Sequence, residues 1–237
     1  MERMTPFEII LSGPGKNAMS SSLMRTIIEQ LREASSRPVL LTGAGDSFSA
    51  GLDLKEVSSL DAEAMDGFQE LLSEVVAQLY HYPAPTVACV NGHAIAGGCV
   101  LALCCDFRVA TDNPRARLGL NEVAIGARFP PRILNVVQRR LPARHADRVL
   151  LGGALCDPTT AFELGLVDEV AADPLSRARE RLAALAAHAP DSYAAVKARM
   201  RPSTAPTDEQ LATWRAEDLP AWTAPAFKST LDKMLRK

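Results

Sequence analysis

The sequence predicts an α/β fold followed by a helical C-terminal region, and three observations indicate it. In the first half of the chain, short apolar runs alternate with longer segments whose apolar residues recur at helical spacing. From about Pro130 onward, almost every segment has the helical spacing. The length of 237 residues is sufficient for one α/β domain with a large hydrophobic core.

The chain begins with a predicted strand, helix and second strand. The first apolar run is Phe7–Leu11, and the turn cluster Ser-Gly-Pro-Gly at residues 12–15 ends it. A helix is predicted for Ser21–Ala34, because its apolar residues fall on one face. Arg37-Pro38 then breaks the chain before a second apolar run at residues 39–42. A strand, helix and strand of these lengths predict a parallel crossover unit.

A glycine-rich loop at residues 43–54 follows the second strand. It lacks the Gly-Lys-Ser/Thr ending of a P-loop and the glycine spacing of a dinucleotide-binding fingerprint. By itself the loop indicates only a tight connection. Asp53 near its end is a residue type favoured at the start of a helix. A longer helix is predicted for residues 61–80, with its apolar residues directed inward.

The most informative stretch is residues 86–126. A buried strand, Thr86–Val90, leads to the turn signal Asn91-Gly92. Gly97 and Gly98 then precede an almost wholly apolar helical segment. Glycines at the start of a helix leave backbone N–H groups open, and the helix dipole adds partial positive charge there. A donor site of this kind suits a group that becomes an anion, and a carboxylate, Glu122, follows it in the chain.

The second half of the chain is predicted to be mainly helical, with one closing strand at residues 165–170. Helices are predicted at residues 132–140, 143–151, 159–164, 174–187, 192–200, 208–214 and 226–235. No internal repeat or low-complexity segment is visible. The chain therefore reads as one α/β core plus a helical C-terminal part.

Charge and composition exclude several classes of protein. The chain has 26 basic and 28 acidic residues, a balance that argues against a nucleic-acid or polyanion partner. No apolar run approaches the length of a membrane span, and residues 1–6 lack the apolar core of a signal peptide. The five cysteines lie mostly in apolar surroundings and lack the spacing and polar neighbours of a metal site. We therefore expect a cytoplasmic protein with free thiols and no metal.

Four ordered motifs resemble those of the crotonase superfamily, which includes enoyl-CoA hydratases and isomerases. The first is Ser-Ala-Gly-Leu-Asp-Leu-Lys at residues 49–55, and the second is Asn-Gly-His-Ala-Ile-Ala-Gly-Gly-Cys at residues 91–99. Two further segments, at residues 106–110 and 161–168, are also similar to family segments. The resemblance implies a crotonase-like spiral of repeated β-β-α units over residues 1–170. Residues 171–237 would form a helical region for trimerisation.

The resemblance also implies a substrate and an oxyanion site. Family members bind acyl-CoA thioesters, with coenzyme A as part of the substrate and no separate cofactor. By position, the backbone N–H groups of Leu52 and Gly97 would hold the thioester oxygen. Fixed donors aimed at this oxygen stabilise the enolate that forms when a neighbouring proton is removed. Ala50, Asp53, Leu54 and Lys55 would contact the substrate or its CoA part, with Lys55 near the phosphates.

The acid residues indicate the reaction. Hydratases of this family use two glutamates, and the first of these positions is Val100 here. The second position matches Glu122, so the pattern resembles that of the enoyl-CoA isomerases, which move a double bond with one base. A 1,3-proton shift needs only one base, whereas adding water across a double bond wants two acid–base groups. An apolar Val100 should also dry the site and raise the pKa of Glu122.

Several alternatives remain open at this stage. One alternative is a lyase, hydrolase or decarboxylase of the same fold that uses Glu122 on another acyl-CoA. It also allows a non-catalytic acyl-CoA-binding protein, with Glu122 as a plain turn carboxylate. His93 is a second candidate base, although a lone histidine beside a turn more often packs or donates a hydrogen bond. Asp53 is more typical of a helix cap than of a residue that acts on substrate.

The family resemblance further implies homotrimers, or dimers of trimers. The C-terminal region carries the apolar residues Leu219, Trp222, Phe227 and Leu231, which we expect a closed assembly to cover. The sequence departs from the family near the expected CoA phosphates, where Asp46 stands in place of a basic residue. Lys16 is a candidate to compensate for it.

Overall fold

The structure, a computed structural model, describes residues 5–236 and contains two parallel β-sheets. Residues 1–4, part of the segment expected to lack a signal peptide, lie outside the described range. The strands are β1(Phe7–Leu11), β2(Val39–Gly43), β3(Ser47–Ser49), β4(Thr86–Val90), β5(His93–Ile95), β6(Phe107–Thr111), β7(Leu118–Gly119) and β8(Glu169–Ala171). The larger sheet has the order β1-β2-β4-β6-β8, and the smaller sheet has the order β3-β5-β7.

Helices surround these sheets and form most of the C-terminal half. They are α1(Pro14–Asn17), α2(Ser21–Ala34), α3(Leu54–Ser59), α4(Ala62–Tyr80), α5(Gly97–Cys104), α6(Glu122–Ile125), α7(Pro131–Arg140), α8(Ala143–Leu150), α9(Pro158–Glu163), α10(Pro174–Ala186), α11(Pro190–Met200), α12(Asp208–Thr213) and α13(Pro225–Leu235). A π-helical turn at Trp214–Asp218 and a 3₁₀ helix at Leu219–Thr223 connect α12 to α13.

Three consecutive units repeat one pattern of two strands followed by a helix. The pairs β2–β3, β4–β5 and β6–β7 precede α3, α5 and α6 respectively. In every unit the first strand joins the large sheet and the second strand joins the small sheet. The predicted α/β fold, a spiral of repeated β-β-α units with a helical C-terminal region, is confirmed.

The first crossover helix shows how local sequence produces this arrangement. Helix α2 begins after Ser20, whose hydroxyl oxygen accepts a hydrogen bond from the Leu23 N–H at 3.2 Å. Its apolar face, which includes Ile27 and Leu31, is buried in the main core. The helix packs against α4 and β1. The predicted bounds of this helix match the observed ones, because both its cap and its periodicity are strong.

Two of the family-like segments meet in a buried network of ion pairs at the end of the large sheet. Arg108 on β6 forms a 2.6 Å salt bridge with Asp168, which precedes β8. Asp106 accepts from Lys197 at 2.8 Å and from Arg201 at 2.7 Å, both in the C-terminal region. Removing one partner of a buried pair would leave an uncompensated charge and so would destabilise the protein.

The C-terminal region packs on the core of the same chain. Helix α10 contacts β4 and β6, and the predicted boundary after residue 170 falls inside β8. Trp222, Phe227 and Leu231 belong to the main hydrophobic cluster and are buried without any partner chain. The expectation that assembly is needed to cover these three residues is therefore wrong, because the chain folds back over them.

The helices were compared with the length and apolar character of a membrane span. Within residues 5–236, no helix combines enough length with enough apolar character to cross a bilayer.

Candidate active site

One pocket gathers most of the residues that the sequence singled out. Ala50, Leu52, Leu54, Gly97 and Glu122 all line it. Apart from Glu122, Asn121 and Arg128, every residue that lines this pocket is apolar or a glycine. Ligand pockets typically combine mainly apolar walls with a few placed polar groups, and this pocket has that composition.

The loop before α3 and the start of α5 lie against each other at this pocket. The Met19 N–H donates to the Gly51 carbonyl at 2.7 Å, and the Asp53 N–H donates to the Met19 carbonyl at 3.1 Å. These bonds hold Leu52 between them. A Cβ atom at Gly51 would lie 3.6 Å from the Gly97 nitrogen, which shows how close the two segments are. Among the described residues, neither the Leu52 N–H nor the Gly97 N–H donates to a protein acceptor.

Ala96 holds an uncommon backbone conformation immediately before Gly97. Its φ of 48° and ψ of −119° are sparsely populated for a residue with a side chain. Such a conformation costs on the order of 1–3 kcal/mol and persists only where its surroundings impose it. The Ala96 N–H donates to the Gly119 carbonyl at 2.8 Å, which anchors the turn to β7. Strained backbone of this kind clusters at active sites and ligand clamps.

Two arginines donate hydrogen bonds to the C-terminal end of α5, away from the pocket. Arg140 donates to the Leu103 carbonyl from Nε and to the Cys105 carbonyl from Nη2, both at 2.8 Å. Arg201 donates to the Cys104 carbonyl at 2.9 Å. These bonds satisfy carbonyls that a helix end leaves without partners, and positive charge there complements the helix dipole. These bonds fix the C-terminal end of α5.

Glu122 is placed by the short connection from β7 to α6. Leu118 exchanges backbone hydrogen bonds with Cys156, each at 2.9 Å, which fixes the end of β7. Gly119 follows with a φ of 149°, and a Cβ atom there would lie 2.6 Å from the Ala154 carbonyl oxygen. Only glycine fits this close approach. Glu122 is the first residue of α6, and its side chain enters the pocket.

The environment of Glu122 favours its neutral form. The residue is only 7% exposed, and its Oε2 atom has no hydrogen-bond partner among the described residues. Burial in an apolar site disfavours the charged carboxylate and raises the pKa of Glu122 to about 7. Val100 lines the same pocket, in agreement with the expected drying effect of an apolar residue there.

Three other candidate residues lie elsewhere. The Asp53 carboxylate caps α3, accepting from the Lys55 N–H at 2.9 Å and the Glu56 N–H at 3.3 Å. Lys55 is exposed on the first turn of α3, and neither residue lines the pocket. His93 also lies outside the lining, and its Nδ1 accepts from the Arg117 N–H at 3.0 Å. This bond gives His93 a local role and leaves Glu122 as the base candidate in the pocket.

The pocket contains polar and aromatic residues that sequence reasoning did not assign to it. Asn121 stands beside Glu122, and its Oδ1 atom is buried without a partner among the described residues. Trp222 and Phe227 reach the pocket from the C-terminal region, as does Met234. Leu72 of α4 also lines the pocket. No recognisable sequence pattern marked these individual residues as pocket residues. Contacts that form when the C-terminal region folds back on the core leave no periodic pattern in the sequence.

Residues 6–228 match the protein family described as enoyl-CoA hydratase/isomerase. The chain belongs to this family. It is 31% identical to enoyl-CoA delta isomerase 1, mitochondrial, of Homo sapiens over 230 residues, covering 94% of this chain and 75% of that protein. It is 40% identical to a putative enoyl-CoA hydratase of Thermus thermophilus over 172 residues, covering 71% of this chain and 66% of that protein.

A solved structure gives the same result for the fold. The crystal structure of human mitochondrial delta3-delta2-enoyl-CoA isomerase has a TM-score of 0.84 with this chain at 29% identity. The alignment covers 97% of this chain and 93% of that one. The resemblance to the crotonase superfamily is confirmed. Membership of the enoyl-CoA hydratase/isomerase family supports an enzyme that acts on acyl-CoA thioesters.

Proposed function

We propose that this member of the family is an enoyl-CoA isomerase that converts 3-enoyl-CoA to trans-2-enoyl-CoA. The observation that carries the proposal is the acid content of the pocket. Glu122 is the one carboxyl group among the described residues that line it. Val100 also lines it, and by the family resemblance it matches the position of the first hydratase glutamate. Moving the double bond by one position along the chain is a 1,3-proton shift, which needs one base that returns the proton it removed. Hydration needs a second acid–base group, which Val100 does not supply.

In the first step, Glu122 takes a proton from the carbon between the thioester and the double bond. The electrons of that C–H bond move into a dienolate that extends to the thioester oxygen. The N–H groups of Leu52 and Gly97 donate to this oxygen, and the N-terminal end of α5 adds positive potential. Donors that are fixed before the reaction stabilise the developing charge by several kcal/mol.

In the second step, the protonated Glu122 gives its proton to the far carbon of the dienolate. The double bond is then conjugated with the thioester, and Glu122 is again a carboxylate. A pKa of about 7 suits both steps, because the group is partly ionised at neutral pH and its conjugate acid is strong enough to return the proton. The apolar walls limit access of water, which would compete for the dienolate.

The contacts with the CoA part of the substrate are proposed from where the residues stand in the family-like motif at residues 49–55. Ala50 and Leu54 line the pocket and would contact the acyl–pantetheine region. Lys55 is exposed on the first turn of α3. It would meet the CoA phosphates as a charged donor. We propose that the enzyme works as a trimer or dimer of trimers in the cytoplasm, with no cofactor beyond the CoA of its substrate.

The direct test is to incubate the purified protein with a 3-enoyl-CoA and to follow the conjugated thioester by its ultraviolet absorbance. The isomerase function predicts that conjugated 2-enoyl-CoA accumulates and is not hydrated. Loss of the thioester or release of carbon dioxide would indicate a hydrolase or decarboxylase instead. Binding of acyl-CoA without any turnover would indicate a non-catalytic family member.

A further inference from the structure

The pocket is bounded by a pair of aromatic rings from the C-terminal region. Trp222 and Phe227 both line it and are only 5% and 6% exposed. Their ring centroids are 5.3 Å apart and their planes meet at 72°, an edge-to-face contact. Rings packed in this way attract each other beyond the effect of their buried area. Together they form a closed stretch of wall.

Hydrogen bonds hold this wall to the core. The Trp222 indole Nε1 donates to the Arg128 carbonyl at 3.2 Å, which fixes the orientation of the ring. The Arg128 guanidinium in turn donates to the Glu217 carbonyl at 2.9 Å and to the Asp218 carboxylate at 2.8 Å. Farther along, Lys228 donates to the Leu60 carbonyl at 3.0 Å. Displacing the rings would therefore break several contacts at once.

The room that remains inside the pocket is small. The centres of water molecules can reach about 70 Å³ of it. For comparison, an apolar cavity of about 150 Å³ holds one benzene molecule. The space in this pocket therefore takes only a short stretch of an acyl chain. The reacting carbons must lie near Glu122, and the rest of an apolar chain must share this space.

We infer, on the basis of the isomerase function proposed above, that the enzyme acts on short-chain 3-enoyl-CoA thioesters. A short acyl chain fills the available space. Trp222 and Phe227 are the residues that exclude longer chains. Carbons beyond this limit meet the aromatic wall, so a longer chain either stays in water or prevents the thioester from reaching the Leu52 and Gly97 N–H groups.

The chain-length profile of the unaltered protein tests this limit directly. We expect kcat/KM for 3-hexenoyl-CoA to exceed that for 3-dodecenoyl-CoA by at least about tenfold, the scale of discrimination of an apolar pocket. Similar or higher kcat/KM for the dodecenoyl thioester would overturn the limit and leave the isomerase function standing. Turnover of neither thioester would contradict the isomerase function itself and this inference with it.

Substitutions in the wall test which residues set the limit. Trp222→Leu and Phe227→Leu keep an apolar side chain but shorten it, and each should raise the dodecenoyl-to-hexenoyl ratio of kcat/KM at least about fivefold. Trp214→Leu is the matched control, because Trp214 is equally buried in the same region but does not line the pocket. Circular dichroism confirms that each variant is folded. An unchanged ratio in both wall variants, or an equal change in the control, would overturn the assignment of these rings.

Discussion

The carbonyl oxygen of Ser49 packs directly against Gly98: a Cβ atom at position 98 would lie only 2.4 Å from that oxygen. Ser49 precedes the loop that carries Leu52, and Gly98 follows Gly97 in the first turn of α5. The two proposed N–H donors therefore depend on one close backbone contact. Because both sides of the contact are backbone, neither can move aside as a flexible side chain does.

Gly98→Ala should separate the two donors. We expect a lower melting temperature and a loss of about tenfold or more in kcat, because one lost oxyanion donor costs about that much or more. Gly67→Ala is the control, since Gly67 lies in α4 with open space around its α-carbon. That change should stabilise the protein by about 0.5–1 kcal/mol, the helix preference of alanine over glycine. Thermal unfolding and isomerase assays of both variants check this, and a Gly98→Ala variant with full activity would contradict it.

The rate should depend on pH through Glu122. The base must be ionised to take a proton, so kcat/KM should rise with pH and level off above about 7, following the raised pKa of this group. The measurement is a pH–rate profile with a short 3-enoyl-CoA. A profile that is already level at pH 5 would contradict the raised pKa.

Stability should show the opposite trend from the same cause. The unfolded chain has the ordinary Glu pKa near 4.5, whereas the folded chain holds the proton up to about pH 7. Folding therefore binds protons between these values, and Glu122 should cost the protein about 3 kcal/mol of unfolding free energy as pH rises through this range. Urea unfolding of the parent and of Glu122→Gln at several pH values measures the difference. The two proteins should diverge as pH rises from 4.5 to 7, and parallel curves would refute the prediction.

A second acid at position 100 should change the reaction. By the family resemblance, Val100→Glu places a carboxyl group at the position of the first hydratase glutamate, and we expect slow hydration of 2-enoyl-CoA to appear. The buried carboxyl should also lower stability, because an unpaired polar group is costly in an apolar site. Val100→Gln introduces a side chain of the same size as glutamate but without acid–base function, and it serves as the control. Loss of the conjugated absorbance measures hydration, and hydration by the parent at the rate of isomerisation would contradict the single-base account.

Assembly can be tested by mass. Several large apolar residues remain exposed in the single chain, among them Leu151 at 71% and Phe162 at 52%. The family resemblance implies a trimer or a dimer of trimers, and we expect a partner chain to cover part of this surface. Light scattering at micromolar concentration should give three or six times the chain mass of 25.5 kDa. A monomer under these conditions would contradict the trimer prediction.

The elements with strong periodicity were predictable from the sequence. Strand Thr86–Val90 and helix Ser21–Ala34 have the predicted bounds, because each carries a clear apolar pattern bounded by turn or cap residues. The small sheet was not predicted, since its strands have only two or three residues and are too short to show alternation. The closing strand was expected at residues 165–170 but spans Glu169–Ala171, because Gly165 makes a turn with a φ of 77°.

The site was predictable only where backbone motifs define it. Gly97 and Glu122 stood out as a donor site followed by an acid, and the family resemblance added Leu52. The structure brings all three to one pocket. Trp222 and Phe227 were expected at a subunit interface but line the pocket instead. Apolar residues suit a subunit interface and a pocket wall equally well. Only the path of the chain in the structure shows which of the two Trp222 and Phe227 form.

The central claim is that Glu122 alone moves the proton. Glu122→Gln keeps the size and hydrogen bonding of the side chain but removes its basicity. Turnover of 3-enoyl-CoA should fall by about 10²–10⁴-fold, the usual contribution of a general base, while acyl-CoA affinity stays close to that of the parent. Glu163→Gln removes the same charge from an exposed position on α9 and should leave turnover unchanged. If Glu122→Gln isomerises as fast as the parent, the role assigned to Glu122 is wrong.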